Sequence, residues 1–192
     1  MRLGFDDPSV ERRFWIERLR DGRQPFPVGL LDRIASPEGE VELAALLRSR
    51  DAGVRDRATA ALWALWSRAG GEWGERKLQR ATEAVDAGEP RRALDVLTRA
   101  IAARPGFAEA WNKRATVHFL VGDYERALRD CEETLRRNPI HFGALHGMGL
   151  CLLQLDKPRE ALAAFERAAA IQPHSEGNRR AIRACKRMLP SG

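Results

Sequence analysis

Between Gly74 and Ser175 the apolar, small and polar positions recur with a shift of 34 residues. Ala81, Ala115 and Gly149 align, as do Ala93, Ala127 and Ala161, Leu94, Leu128 and Leu162, and Pro105, Pro139 and Pro173. Each period predicts two helices. The small residues at 81, 115 and 149 fall midway along the first helix, and the alanines at 93, 127 and 161 open the second. Small side chains at both places let antiparallel helices approach closely where they cross. Gly88, Gly122 and Asp156 occupy the turn between them, and a loop this short makes the two helices antiparallel neighbours. Leu97, Cys131 and Phe165, with Ile101, Leu135 and Ala169 four residues on, give the second helix an apolar stripe. The prolines end that helix, because each lacks an amide hydrogen and restricts its predecessor. One such pair cannot bury its stripe alone, and stacking three buries a continuous core. A fixed period of this length marks a stacked-repeat architecture.

Outside the repeats the same kind of reading continues. Asp7 caps a first helix with Pro8 in its first turn; Val10, Phe14 and Leu19, with Trp15 and Ile16, give it an apolar side, and Asp21-Gly22 ends it. Gln24 to Pro27 is a connector, and a short helix is expected from Val28 to Ala35. Ser36-Pro37-Glu38 starts another helix, with a capping hydroxyl and an acid at the positive end of the dipole. A further helix follows Asp51 and carries Trp63 and Trp66, three residues apart and so on one face, which reads as core rather than as a ligand platform. After Pro173, Ser175 caps a last helix with a narrow apolar stripe of Ile182, Cys185 and Leu189, the expected polar cap of a repeat array. The predicted organisation is a segment 1–35, a helical hairpin 36–73, three repeats (74–107, 108–141, 142–175) and a capping helix and tail 176–192.

The repeating stretch resembles three tetratricopeptide repeats. Trp111, Ala115, Gly122, Asp123, Tyr124, Ala127 and Pro139 stand at the family's expected places in the second repeat, and Leu145, Gly149, Ala161, Phe165 and Pro173 in the third. The first is degenerate, with Lys77 where a large apolar residue is expected. The segments WNKRATVHFLVGDYERAL and HFGALHGMGLCLL are similar to a tetratricopeptide group of bacteria and plastids. The resemblance implies an all-α fold, a right-handed α-solenoid of stacked antiparallel helix pairs, and a binding scaffold with no particular partner. The string LAALLRSRDAGVRDRATAALWALW resembles a HEAT repeat, in which Asp51 and Arg55 would bond into neighbouring turns; stacked on the first pair it would extend the solenoid.

In such an array the first helices line the concave face. The resemblance therefore assigns Asn112, Lys113, Thr116, Phe119, His146 and Leu150 to a partner-binding groove, with Glu109, Gly143, Leu153, Leu78, Thr82 and Val85 beside them. Apolar strips with a few polar groups suit an extended peptide or a partner helix, and Asn112 carries both a donor and an acceptor for a peptide backbone. Members that hold an acidic C-terminal tail of a chaperone use lysine, asparagine and arginine at positions that here are Leu78, Thr82, Lys113, Gly143 and Gly147. That carboxylate clamp is therefore not expected.

Charge adds a second candidate. The chain of 192 residues has a net charge of +6 and a pI of about 9.9. Most basic residues interleave with acids and read as a solvated helical face. Arg179, Arg180, Arg183, Lys186 and Arg187 form the one basic cluster, read first as part of the cap and alternatively as a nucleic-acid or acidic-partner contact. No metal or cofactor is expected: Cys131, Cys151 and Cys185 are widely spaced without a CxxC pair, and His118, His141, His146 and His174 form no ligand pair. The cysteines read as buried reduced thiols, which suits a reducing compartment. No nucleophile elbow, phosphate loop or dinucleotide fingerprint occurs, and Glu132-Glu133 diverge by about 100° on a helix, so no enzymatic activity is expected. No apolar run is long enough for a membrane span and no secretory leader is visible, so the expected location is cytoplasmic, or an organelle stroma if the chain is a processed form.

Overall fold

The computed structural model describes residues 7–22 and 34–189. Every regular element among them is an α-helix: α1 (Pro8–Asp21), α2 (Pro37–Leu46), α3 (Ala52–Arg68), α4 (Gly71–Asp86), α5 (Pro90–Ala103), α6 (Ala108–Leu120), α7 (Tyr124–Arg137), α8 (Phe142–Gln154), α9 (Pro158–Ile171) and α10 (Glu176–Met188). The connector and short helix expected over 24–35 fall, up to residue 33, outside the described residues. The chain divides into two compact units, 1–65 and 66–192, and the division falls within α3.

In the first unit the helix ends follow from their caps. The Asp7 carboxylate accepts from the Ser9 amide at 2.7 Å. Ser36 Oγ accepts from the Gly39 amide at 3.0 Å. Trp15, Ile16 and Leu19 of α1 are buried, as are Leu43 and Leu46 of α2 and Val54, Ala58, Ala61 and Leu62 of α3. Asp51 accepts from the Val54 amide at 3.2 Å in the first turn of α3, and Arg55 reaches back to the loop before α3 and donates to the Ser49 and Arg50 carbonyls at 2.9 Å each. Arg57 reaches the last turn of α1 and donates to the Leu19 and Arg20 carbonyls at 2.7 and 2.8 Å. Those carbonyls have no partner further along the helix, and the guanidinium supplies one.

The second unit is a right-handed solenoid of antiparallel helix pairs, α4/α5, α6/α7 and α8/α9, closed by α10. Each pair turns the same way. A residue with left-handed backbone, Gly88 (φ 73°), Gly122 (φ 80°) or Asp156 (φ 56°), follows the first helix. The next amide then bonds back to the helix: Glu89 to Ala84 at 2.8 Å, Asp123 to His118 at 2.9 Å and Lys157 to Leu152 at 2.9 Å. These bonds satisfy carbonyls that the helix end leaves open. The second helices stop two residues before Pro105, Pro139 and Pro173. Ala93, Ala127 and Ala161 are fully buried at the crossings. At Gly149 the approach is closest, since a Cβ there would lie 2.6 Å from the Phe165 ring.

The core of this unit is divided into several clusters. One gathers Leu78, Ala81, Leu97 and Ile101 with Phe107 and Val117. Another joins Leu152, Ala161, Ala164 and Phe165 to Cys185 of α10. Trp66 is 3% exposed and stacks on the His141 ring at 4.3 Å between centroids, which makes it core rather than a ligand platform. Trp63 and Trp73 are half-buried.

Candidate functional site

The first helices α4, α6 and α8 present one face, and two hollows open along it. The hollow between α4 and α6, about 130 Å³, is lined by Thr82, Val85, Lys113, Thr116, Val117 and Leu120, with Leu97 among its apolar wall residues. The hollow between α6 and α8, about 110 Å³, is lined by Asn112, Thr116, Phe119, Gly143, Gly147 and Leu150, with Cys131 and Cys151. Thr116 borders both. The period explains why the second hollow exists. Positions 97, 131 and 165 are equivalent; leucine and phenylalanine fill two of them, and at 131 the smaller cysteine stands. Gly147 adds no side chain above it: a Cβ there would lie 3.4 Å from Cys131 Sγ.

Beneath the hollows lies a buried polar cluster. His141 Nδ1 accepts from the Ala144 amide at 3.0 Å, so the ring caps α8. That assigns its proton to Nε2, which donates to Glu109 at 3.0 Å. Asn112 also donates to Glu109, at 3.2 Å. The Lys113 ammonium lies 3.9 Å from the other carboxylate oxygen. Glu109 and His141 are 1% and 0% exposed, so the carboxylate is desolvated and its charge rests on these partners. Asn112 thus spends one donor hydrogen of its amide on Glu109, and the residue also lines the hollow between α6 and α8.

The other predicted groove residues are placed differently from one another. Thr116 is exposed, and its hydroxyl donates to the Asn112 carbonyl at 3.1 Å. Phe119 is half-buried, edge-on to Tyr124 at 5.3 Å. Leu150 lines the second hollow. His146 lines neither: its Nδ1 donates to Asn178 of α10 at 2.7 Å and its ring packs on Phe165. At the carboxylate-clamp positions Leu78 is core, the Thr82 hydroxyl donates to the Leu78 carbonyl at 3.1 Å, and Gly143 and Gly147 offer no donor side chain.

A larger cleft, about 440 Å³, lies among Leu94, Thr98, Arg114, His118, Arg129 and Asp130. Arg114 grips Asp130 with two bonds of 2.7 and 2.8 Å and so ties α6 to α7. Burial holds the His118 imidazole below the ordinary histidine range, against the pull of Asp130 and Asp123. On α10, Arg179, Arg180, Arg183, Lys186 and Arg187 are all exposed. Arg179 pairs with Glu176 at 2.6 Å and Lys186 with Glu166 at 3.7 Å. No group of three or more histidine, cysteine or carboxylate side chains is placed to hold a metal among the described residues.

Two family profiles described as tetratricopeptide repeat match residues 78–130 and 106–174, together about half of the chain. The chain belongs to the tetratricopeptide-repeat family. A TPR repeat-containing protein of Rhizobium etli is 38% identical over 108 residues, covering 56% of this chain and 53% of the relative. The human protein SGT1 homolog is 32% identical over 83 residues, 43% of this chain and 23% of its own length. The chain therefore spans about half the first relative and less than a quarter of the second. Among solved structures, the first TPR of Spaghetti (RPAP3) bound to the HSP90 peptide SRMEEVD superposes with a TM-score of 0.60 at 21% identity, covering 65% of this chain and 96% of that one. The second TPR domain of human RPAP3, bound to the HSP70 peptide SGPTIEEVD, gives 0.56 at 24% identity, covering 57% and 92%. These likenesses establish the tetratricopeptide fold. No helix among the described residues is long and apolar enough to cross a membrane.

Of the groove residues that the resemblance assigns, Asn112, Lys113, Thr116, Phe119 and Leu150 line the two hollows and His146 does not, and the resemblance did not name the cysteines of the second hollow. Cys131 and Cys151 belong to different helices, 20 positions apart, and meet only through packing. The one signal in the sequence was the cysteine at a position filled by leucine and phenylalanine in the other repeats.

Proposed function

We propose that this chain is a non-catalytic protein-interaction scaffold. Its tetratricopeptide groove holds an extended segment of a partner protein whose apolar side chains enter the two hollows. The observation that carries this reading is the pair of mainly apolar hollows on the face of the first helices, meeting at Thr116. An extended chain places alternate side chains on one side, so two neighbouring hollows select two anchors while backbone groups meet Asn112 and Lys113. Two solved tetratricopeptide domains similar in fold, the first TPR of Spaghetti and the second TPR of human RPAP3, carry peptides ending in EEVD. Of the five positions of a carboxylate clamp, Leu78, Thr82, Gly143 and Gly147 carry no cationic or amide side chain and Lys113 stands where the clamp has asparagine, which favours an apolar internal segment over an acidic tail.

The test is a peptide array read by fluorescence titration, with SRMEEVD and a short single-stranded RNA as competing probes. Peptides with two apolar anchors should bind, with affinity nearly constant between low and high salt. Thr116→Arg, which fills the border of both hollows, should abolish that binding and leave the helical circular-dichroism signal unchanged. Preference for SRMEEVD, or RNA binding that persists at physiological salt and is lost on replacing Arg179, Arg180, Arg183, Lys186 and Arg187, would overturn the reading.

A further inference from the structure

We propose that the cleft of about 440 Å³ among α5, α6 and α7 is a binding site for a phosphate monoester, held by Arg114, Arg126 and Arg129 with His118 in the wall. The cleft shares no residue with the two hollows of the groove. Arg114 and His118 each stand two positions from Thr116, about 200° around α6, so the cleft opens on the side of that helix away from the groove. The site is thus independent of the groove.

Comparison of the repeats shows that the fold does not require polar groups here. The positions equivalent to His118 hold Ala84 and Leu152, and those equivalent to Asp130 hold Val96 and Ala164. The second repeat instead buries an imidazole and a carboxylate, 8% and 4% exposed. Burying polar groups costs free energy that the apolar residues of the other repeats avoid. Asp130 is compensated by its two bonds from Arg114. His118 is not: its Nδ1 is buried without a hydrogen-bond partner, and its ring nitrogens lie 3.9 Å from Asp123 and 4.0 Å from Asp130.

The cations have donors to spare. Arg114 gives Nε and Nη2 to Asp130 and Nη1 to Thr98, at 3.1 Å for the last, which fixes its guanidinium and leaves one hydrogen on each terminal nitrogen. Arg126 is held by Asp123 at 3.1 Å. Arg129 is exposed and pairs with no carboxylate among the described residues. Three arginines against Asp123 and Asp130 leave one positive charge in excess. Burial favours the neutral imidazole of His118, against the pull of the two aspartates and with the push of Arg114 and Arg126; a bound dianion favours the imidazolium and so supplies a second charge. A phosphate monoester carries nearly two charges and three terminal oxygens, which match forked donors on three guanidinia; a carboxylate offers one charge and two oxygens. Leu94 gives the organic part of the ester an apolar wall.

The full-length chain is titrated at fixed ionic strength with phenyl phosphate, a short phosphoserine peptide and benzoate, read by calorimetry and by the histidine resonances in NMR. Phenyl phosphate should bind and raise the pKa of His118, while the exposed His174 stays unmoved. Benzoate should bind about tenfold more weakly, having one charge-assisted contact fewer. A phosphopeptide that binds more tightly than phenyl phosphate makes the source a modified protein, and the reverse order makes it a small metabolite; either supports the site. Arg129→Gln should weaken binding about tenfold with an unchanged melting temperature, and Arg180→Gln on α10 should leave it unchanged. His118→Leu, which places the residue of the third repeat, should keep the fold and weaken phosphate. Thr116→Arg should leave phosphate binding intact, so loss of peptide capture and loss of phosphate binding are read separately. The proposal is overturned if benzoate binds as tightly as phenyl phosphate, if the His118 resonances do not move, or if Arg180→Gln costs as much affinity as Arg129→Gln.

Discussion

Asp156 shows how much one backbone angle decides. It follows α8 with φ 56°, where the two preceding pairs have Gly88 and Gly122. A side chain in this region crowds the following carbonyl, at a cost of about 1–2 kcal/mol that aspartate bears better than most residues. Asp156→Gly should therefore raise stability by about 0.5–1 kcal/mol, read as a higher urea midpoint at unchanged slope. An unchanged or lower midpoint would mean that the carboxylate contributes more than the strain costs. The turn was legible from the period, because residue 156 aligns with two glycines. The contact between Gly149 and Phe165 was legible only in part: the sequence required a small residue at 149, and the 2.6 Å approach that excludes even a methyl came from packing.

At the scale of an element, α8 depends on a residue outside it. His141 caps its first turn through Nδ1 and holds the buried Glu109 of α6 through Nε2. One ring thus joins two repeats and fixes its own tautomer in doing so. Losing the cap costs about 1 kcal/mol, and a buried carboxylate deprived of a partner costs about 3–5 kcal/mol. His141→Ala should lower stability by on the order of 3 kcal/mol, since Asn112 and Lys113 still face Glu109. His141→Asn keeps a capping oxygen and should recover about 1 kcal/mol of that loss in urea titrations. The role of this histidine is not legible in the sequence, because its partners, Glu109 and Trp66, lie 32 and 75 positions away.

Across the second unit, stability comes from each pair covering its neighbour, and α10 covers α9. Cys185 is fully buried against α9, and Ala181 and Ile182 pack on the same cluster. Removing residues 176–192 should expose that apolar face of α9, destabilise the repeats by on the order of 3 kcal/mol and give binding of a hydrophobic dye. Replacing Arg180, Arg183 and Arg187 with glutamine should instead change stability by less than about 0.5 kcal/mol, because those side chains are exposed. Thermal melts of the two variants separate the cap's packing from its charge.

The period of 34, the small residues at the crossings and the prolines after each second helix determined the helical class, the pairing and the faces turned inward. These are local demands, since helix capping, turn geometry and side-chain size act within a few positions of the chain. Tertiary structure decided which groups share a cavity. Cys131 meets Cys151, and Glu109 meets His141, across helices whose separation in sequence carries no trace of the contact. Stacking brings them together because each repeat buries its stripe only against the next, and the depth of each hollow depends on the volumes that happen to face one another there.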